Sequence, residues 1–368
     1  MLQRLAVLLI ALTTAAAAGQ APPKITYAPT PWPIQDGSVD LHNFQFGTGE
    51  ILPDLHLHYL TLGTPRRDAQ GHTTNAVLLL HGTGGNAHNL LALVFSNVLF
   101  GPGQPLDIRK YFLIFPDDIG MGESSKPSDG LRMKFPHYTY DDMVRSQHQM
   151  LLDGLHVDHL RLVMGTSMGC MQSFVWGEMY PKFMDALMPL ACEPIALAGR
   201  NRVWRYTAMK SIRDDPAWNN GNYTQEPVAG LRGAANMLLI AVSAPQQWQK
   251  DYPTRQQADA FVNHMQDAIV AHTDADDFLY YFDASRDYDP EPKLSSISAY
   301  VMWVNSADDF INPPEIDRMF AEQLMHRVPH GRFVLIPSSM QTYGHGTHTH
   351  AADWKQYLVE LLQESAKE

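Results

Sequence analysis

The chain has 368 residues, enough for one large domain or two ordinary ones and enough to bury a sizeable core. Hydrophobic residues make up 45% and charged residues 18%, with 25 Gly and 25 Pro, which excludes a disordered, collagen-like or low-complexity chain. With 39 acidic against 27 basic side chains the formal charge is -12, and with no local basic patch this argues against nucleic acid or an anionic lipid surface as a partner.

The N-terminus runs from Arg4 through the apolar stretch Leu5 to Leu12 into a string of alanines ending at Ala18, the order of a secretory leader. Cleavage near Ala18 and export, to a periplasm or outside the cell, are the expectation. The apolar stretch is too short to span about 30 Å of hydrocarbon, and no later run reaches roughly 18 apolar residues, so no membrane span is expected. Only Cys170 and Cys192 are present, so disulfides are not the main scaffold. Whether the two pair depends on a Cα separation that a sequence does not give.

Leu55, Leu57 and Tyr59 alternate with His56 and His58, which predicts a half-solvated antiparallel strand with the histidines toward water. From Asn75 onward short apolar runs alternate with helical periodicity, the pattern of a mostly parallel sheet with helices on both faces. The predicted buried strands are Ala76 to Leu80, Tyr111 to Phe115, Leu160 to Met164, Ala186 to Leu190, Tyr300 to Val304 and Phe333 to Ile336. Thr139 opens a helix with Asp142 three residues on, and its stripe of Met143, Met150, Leu151 and Leu155 is interrupted only by Gln147. Between about residues 195 and 294 the strand rhythm stops. Helical spacing takes over, with Phe261, Met265, Ala268 and Ile269 on one stripe and Gly230 to Ala244 as another helical stretch. A helical cap inserted before the late strands, over the C-terminal edge of the sheet, is the simplest reading, dividing the core into 19–194 and 295–368. An independent second domain is the alternative. A last helix, Ala351 to Leu362, presents Trp354, Tyr357, Leu358 and Leu361 on one face.

The predicted strand at Leu160 to Met164 runs into Gly165-Thr166-Ser167-Met168-Gly169, followed by a helical stretch from Met171 to Met179. Glycines two before and two after the serine suit a turn so sharp that a Cβ at either place would clash. Such a turn raises Ser167 at the edge of the sheet, beside a helix N-terminus that favours developing negative charge. A serine there needs an imidazole to take its proton and a carboxylate to orient that imidazole, in the chain order Ser, acid, His. Asp308 and Asp309 follow the strand ending at Val304, and His345 follows the last strand. Whichever aspartate is not the acid is expected to cap the helix starting at Pro314. The oxyanion donors are expected to be the amides of Thr83, in the loop His81-Gly82-Thr83-Gly84-Gly85, and of Met168. That loop lacks the G-K-[ST] ending of a phosphate-binding loop. A metal cluster of His345, His348 and His350 is the competing reading, but the spacing matches no standard site.

From about Phe44 to its C-terminus the chain resembles the homoserine O-acetyltransferase-like branch of the α/β-hydrolase superfamily. The likeness rests on His88, Phe135-Pro136, Thr139, Asp142-Met143-Val144-Arg145, Gln147, Leu151-Leu152-Asp153, Gly165 to Gly169 with Met171-Gln172, Asp215-Pro216, Trp218 and Gly344-His345. The resemblance implies an α/β-hydrolase fold and an acid four residues before a Pro-Pro pair, which selects Asp309 over Asp308. It implies no metal or organic cofactor and a small-molecule acyl substrate, and leaves the oligomeric state open, a dimer included. Two departures stand out. Cys170 follows the elbow where the transferases carry another glycine, and Met209 stands where they carry an arginine for the substrate carboxylate, six residues before the Asp-Pro pair. A thioether has no donor for a carboxylate, and neither Arg205 nor Arg213, a turn away, is expected to replace the missing fork. An exported enzyme would also be separated from cytosolic acetyl-CoA and homoserine. The expectation is therefore an exported serine hydrolase acting on a small ester, thioester, lactone or amide through Ser167, Asp309 and His345. Acyl transfer of the homoserine O-acetyltransferase type is the alternative, and a non-catalytic binding protein on the same scaffold is an alternative of another class.

Overall fold

Strands covered on both faces read as near-continuous apolar runs, and the central strands of this protein are buried at every position. The computed structural model describes residues 30–366, and the expected leader lies outside them. The strands are β1 (Gln35–Gln45), β2 (Ile51–Leu62), β3 (Ala76–Leu80), β4 (Phe112–Pro116), β5 (Leu162–Thr166), β6 (Ala186–Leu190), β7 (Tyr300–Ser306) and β8 (Gly331–Ile336). They form one sheet in the order β1-β2-β4-β3-β5-β6-β7-β8. The β1–β2 and β2–β4 pairs are antiparallel, and every pair from β4–β3 onward is parallel. The strand period of two divides each buried run between two cores. Ala76, Leu78 and Leu80 face one side, and Val77 and Leu79 the other.

The helices are α1 (Leu93–Leu99), α2 (Tyr140–Gln149), α3 (Met168–Met179), α4 (Gly199–Arg213), α5 (Val228–Ala241), α6 (Pro245–Asp251), α7 (Arg255–His272), α8 (Ala275–Asp283), α9 (Pro314–Met325) and α10 (Lys355–Glu364). Helices α1 and α10 cover one face through Phe95, Leu99, Leu358 and Leu361. Helices α2 and α3 cover the other through Met143, Val144, Phe174 and Trp176. Thr139 caps α2 as its spacing predicts, exchanging hydrogen bonds with Asp142, and the helix continues into a wider turn over Met150–Gly154. Among the described residues no single helix is long and apolar enough to cross a membrane.

Helices α4 to α8 all fall between β6 and β7. Helix α8 is the seat of this insertion, because Phe278, Leu279, Tyr280, Tyr281 and Phe282 are all buried. It is fastened to the core excursion after β4, where the Tyr280 hydroxyl donates to Phe135 O at 2.6 Å and Asp277 accepts from Ser128 N–H and Oγ–H at 2.8 and 2.6 Å.

One sequence expectation is overturned. His58 does not face water: it is 3% exposed, with Nδ1 2.7 Å from Asp117 Oδ2. The segment after β4 folds over this end of β2, where the His58 N–H donates to Ser124 Oγ and the Asp117 N–H donates to His58 O, each at 2.9 Å.

Candidate active site

Ser167 joins β5 to α3 at φ 55°, ψ -106°, a left-handed conformation that costs a non-glycine residue of order 1–3 kcal/mol and persists only where the surroundings enforce it. They do so here by leaving no room. A Cβ on Gly165 would lie 1.9 Å from Gly169 O, and one on Gly169 would lie 2.4 Å from Leu80 O. The Ser167 N–H donates to Leu190 O at 2.8 Å and the Gly169 N–H to His81 O at 3.0 Å, pinning the turn between β6 and the loop after β3.

Three side chains from three strand ends converge there. His345 Nε2 lies 2.9 Å from Ser167 Oγ, and its Nδ1 lies 2.8 Å from Asp309 Oδ2. Asp309 is 2% exposed and fully engaged: Oδ1 accepts the Ile311 and Asn312 N–H groups at 2.7 and 3.2 Å, and Oδ2 also accepts Asn312 Nδ2–H at 3.0 Å. A carboxylate so held fixes the imidazole, meeting Nδ1 and leaving Nε2 to face the serine. The expectation that the neighbouring aspartate caps the helix from Pro314 is corrected. The Asp308 carboxylate turns away from that helix and accepts from Ser306, Thr342 and Gly344, because Asp309 already serves the local amides.

The loop after β3 passes against the serine, and a Cβ on Gly82 would sit 3.5 Å from Ser167 Cβ. Neither the Thr83 nor the Met168 amide has a protein acceptor among the described residues. His81 holds the loop, with Nδ1 2.8 Å from Gly82 O and Nε2 accepting the Asp118 N–H at 3.3 Å.

Behind the elbow lies a buried network that the sequence reading missed. Asp118 accepts from the amide nitrogens of Gln147 and Gln172, Gln147 also donates to Gln172 Oε1 at 2.7 Å, and Trp176 Nε1 donates to Gln147 Oε1 at 2.7 Å. Burial raises the Asp118 carboxyl above its ordinary range. The available signal was Gln147 itself, the one polar residue in an apolar stripe. Cys170 and Cys192 form a disulfide with Cα atoms 5.8 Å apart, joining the first turn of α3 to the segment after β6. Next in the chain, burial and the nearby Asp309 push the Glu193 carboxyl up to about 7.

The other sequence candidates fall into place separately. His348 packs edge-on to His345, with ring centroids 4.9 Å apart, and burial beside two other histidines holds its pKa well below the ordinary value. His350 stacks on Tyr343 at 3.8 Å, and among the described residues no group of His, Cys, Asp or Glu is placed to hold a metal ion. Met209 is fully buried. Arg213 is exposed, and Arg205 is buried, donating from Nε to Asn201 at 2.8 Å with its guanidinium 4.9 Å over the Trp204 ring.

Residues 75–340 match the family model described as the alpha/beta hydrolase fold. The homoserine O-acetyltransferase of Geobacter sulfurreducens is 30% identical over 356 residues, covering 85% of this chain and 92% of that protein. Among solved structures, homoserine O-acetyltransferase from Bacillus anthracis superposes with a TM-score of 0.78 at 22% identity, covering 89% of this chain and 97% of the other. An acetylester hydrolase from Corynebacterium glutamicum superposes with a TM-score of 0.77 at 19% identity, covering 89% and 96%.

Proposed function

The chain belongs to the α/β-hydrolase fold family, in its homoserine O-acetyltransferase-like branch, and from that premise we propose that it transfers a short acyl group through a covalent intermediate on Ser167. The observation that carries the reading is the continuous relay from Asp309 through His345 to Ser167 Oγ, at 2.8 and 2.9 Å. Ser167 Oγ attacks the carbonyl carbon of an ester or thioester while His345 Nε2 takes its proton. The carbonyl oxygen becomes an oxyanion that the Thr83 and Met168 amides hold, each such donor being worth about 100- to 1000-fold in rate. As the tetrahedral centre collapses, His345 returns the proton to the departing alcohol or thiol and the acyl group stays on Ser167. A hydroxyl acceptor then gives its proton to His345 and attacks the acyl carbon, and Ser167 leaves with that proton.

The acceptor is what divides the two readings. The curated relatives are named for acetyl transfer to an alcohol, which favours an alcohol acceptor and an acetyl group over water. Met209, standing where the resembling transferases carry an arginine for the substrate carboxylate, favours the second reading, hydrolysis of a small ester, because an acceptor's carboxylate without that partner would be unpaired at a cost of several kcal/mol. We also read the protein as exported. Its leader-like N-terminus supports this, as does a disulfide of the kind that persists in oxidising compartments.

The test is the partition of the acyl-enzyme. With p-nitrophenyl acetate as donor, added alcohols, L-homoserine among them, should accelerate p-nitrophenol release and yield acetylated alcohol. If acetate accounts for all product whatever the alcohol, and Met209→Arg restores no transfer to homoserine, the protein is a hydrolase. Turnover that survives Ser167→Ala would overturn both readings.

A further inference from the structure

Adjacent carboxylates on one short loop cannot serve the same imidazole, and here they point to different tasks. Asp309 meets the His345 ring, whereas Asp308 reaches the backbone that carries it. Asp308 Oδ1 accepts from Ser306 Oγ–H at 2.5 Å, on its own loop, and Oδ2 accepts the Thr342 hydroxyl at 2.8 Å and the Gly344 N–H at 3.0 Å, across the gap to the histidine loop. Gly344 directly precedes His345 and sits at φ +58°. A Cβ there would lie 2.5 Å from Ser243 O and 3.2 Å from Asp308 O, so the histidine loop is wedged between the aspartate loop and the start of α6. Thr342 in turn accepts the Ser339 N–H at 3.0 Å, which carries the constraint back to the foot of the loop.

We propose that Asp308 is a positioning residue for His345: by clamping the Gly344 amide and the Thr342 hydroxyl, it sets the depth at which the imidazole stands between Asp309 and Ser167. This rests on the reading of Ser167, Asp309 and His345 as the reacting set. The Asp309–His345 bond fixes the rotation of the ring but leaves the histidine backbone free to ride up or down. The Asp308 clamp removes that freedom. A carboxylate suits the task because one oxygen can accept two donors while the other anchors to Ser306, and because an ionised acceptor makes stronger hydrogen bonds than a neutral one. A misplacement of about 1 Å costs on the order of 100-fold in rate, which sets the size of the expected effect.

The experiment measures p-nitrophenyl acetate turnover and fluorophosphonate labelling of Ser167 in Asp308→Ala, Asp308→Asn and Thr342→Val, each also in a His345→Ala background. Asp308→Ala should lower kcat and the labelling rate together by roughly 30- to 100-fold with KM within about twofold of wild type. Asp308→Asn keeps one acceptor oxygen and should lose less, and Thr342→Val, which removes one of the three donors to Asp308 together with the bond from Ser339 N–H, less again. In the His345→Ala background none of the three should lower the residual rate further, because a residue that acts only through the imidazole has nothing left to position. Wild-type kcat in Asp308→Ala overturns the proposal. So does an equal fold-loss with and without His345, which would make Asp308 a general structural residue. Should Asp308→Ala fail to fold, the same comparison is made on the other two variants. Loss of the function reading itself is recognised separately, by Ser167→Ala retaining turnover and label.

Discussion

Helices α3 and α7 differ in composition, with three polar residues in twelve against nine in eighteen, and the fold treats them in opposite ways. Ten of the twelve residues of α3 are buried, whereas none of the eighteen residues of α7 is. Helix α3 is apolar all round because β3, β5, β6 and α2 enclose it. Helix α7 lays a half-buried stripe on α5 and adds polar ties at its rim, such as Arg232 to Asp267 and Gln266 to Asn236. The contrast follows what each must hold still. The N-terminus of α3 carries a strained serine that has to meet an imidazole from another loop, and close packing on all sides leaves it one position. Helix α7 carries no such group.

The contrast is tested hardest at the elbow. Replacing Ser167 by Ala should lower turnover by about 10,000-fold or more while leaving the melting temperature nearly unchanged, since alanine fits the turn and only the nucleophile is lost. Steady-state kinetics beside a thermal melt checks both halves. A large fall in stability would mean that the serine side chain, and not the surrounding packing, holds the turn.

Packing itself comes next. Phe174 on α3 is fully enclosed, so Phe174→Ala should cost about 3–5 kcal/mol in urea unfolding. Phe261 on α7 touches Tyr252 and Trp248 at a half-buried site, and Phe261→Ala should cost no more than about 1.5 kcal/mol. Equal costs would erase the distinction between the two helices. The Cys170–Cys192 bond closes a segment with a sequence separation of 22, and replacing both by Ala should cost about 3 kcal/mol. Mass analysis with and without reductant, followed by unfolding, measures that contribution.

How far the sequence spoke for the structure follows the same division. The central strands were legible because a strand covered on both sides is a continuous apolar run, and the elbow was legible because its glycines are forced by contacts shorter than any Cβ allows. The strand β1 was not read, since Gln35 to Gln45 is a mostly exposed edge whose polar residues carry no burial signal. The predicted strand at Leu160 to Met164 came two residues early, because pairing with β6 continues through Gly165 and Thr166. The structure brings together Ser167, Asp309 and His345, which the sequence reading grouped, but the turn of Asp308 toward Thr342 and Gly344 was not legible, because spacing along a chain does not say which way adjacent side chains turn. The disulfide was undecidable for a similar reason. Cys170 and Cys192 meet because β5 and β6 are neighbours and end at the same edge of the sheet, a fact of topology and not of separation.

The last expected effect depends on pH and lies where core and cap join, at Glu193. Its carboxyl, 7% exposed and near Asp309, is pushed up to about 7 from the ordinary 4.5. Between those two values the unfolded chain releases the proton while the folded protein keeps it, so the folded state binds more protons and stability falls as pH rises. Below pH 4.5 the unfolded chain is also mostly protonated and the penalty fades; above pH 7 it is fully developed, of order 3 kcal/mol. Glu178 and Glu226, pushed up to about 8 chiefly by burial, act with the same sign at the α3 end and within the cap, so wild type should melt lower at pH 8 than at pH 5. Glu193→Gln keeps the shape and removes one titration. It should match wild type at pH 4.5 and melt higher by a few degrees at pH 8. Melts across that range decide the matter. A Glu193→Gln curve parallel to wild type would mean that the carboxyl ionises freely in the folded protein, and that the join between core and cap is wetter than its burial implies.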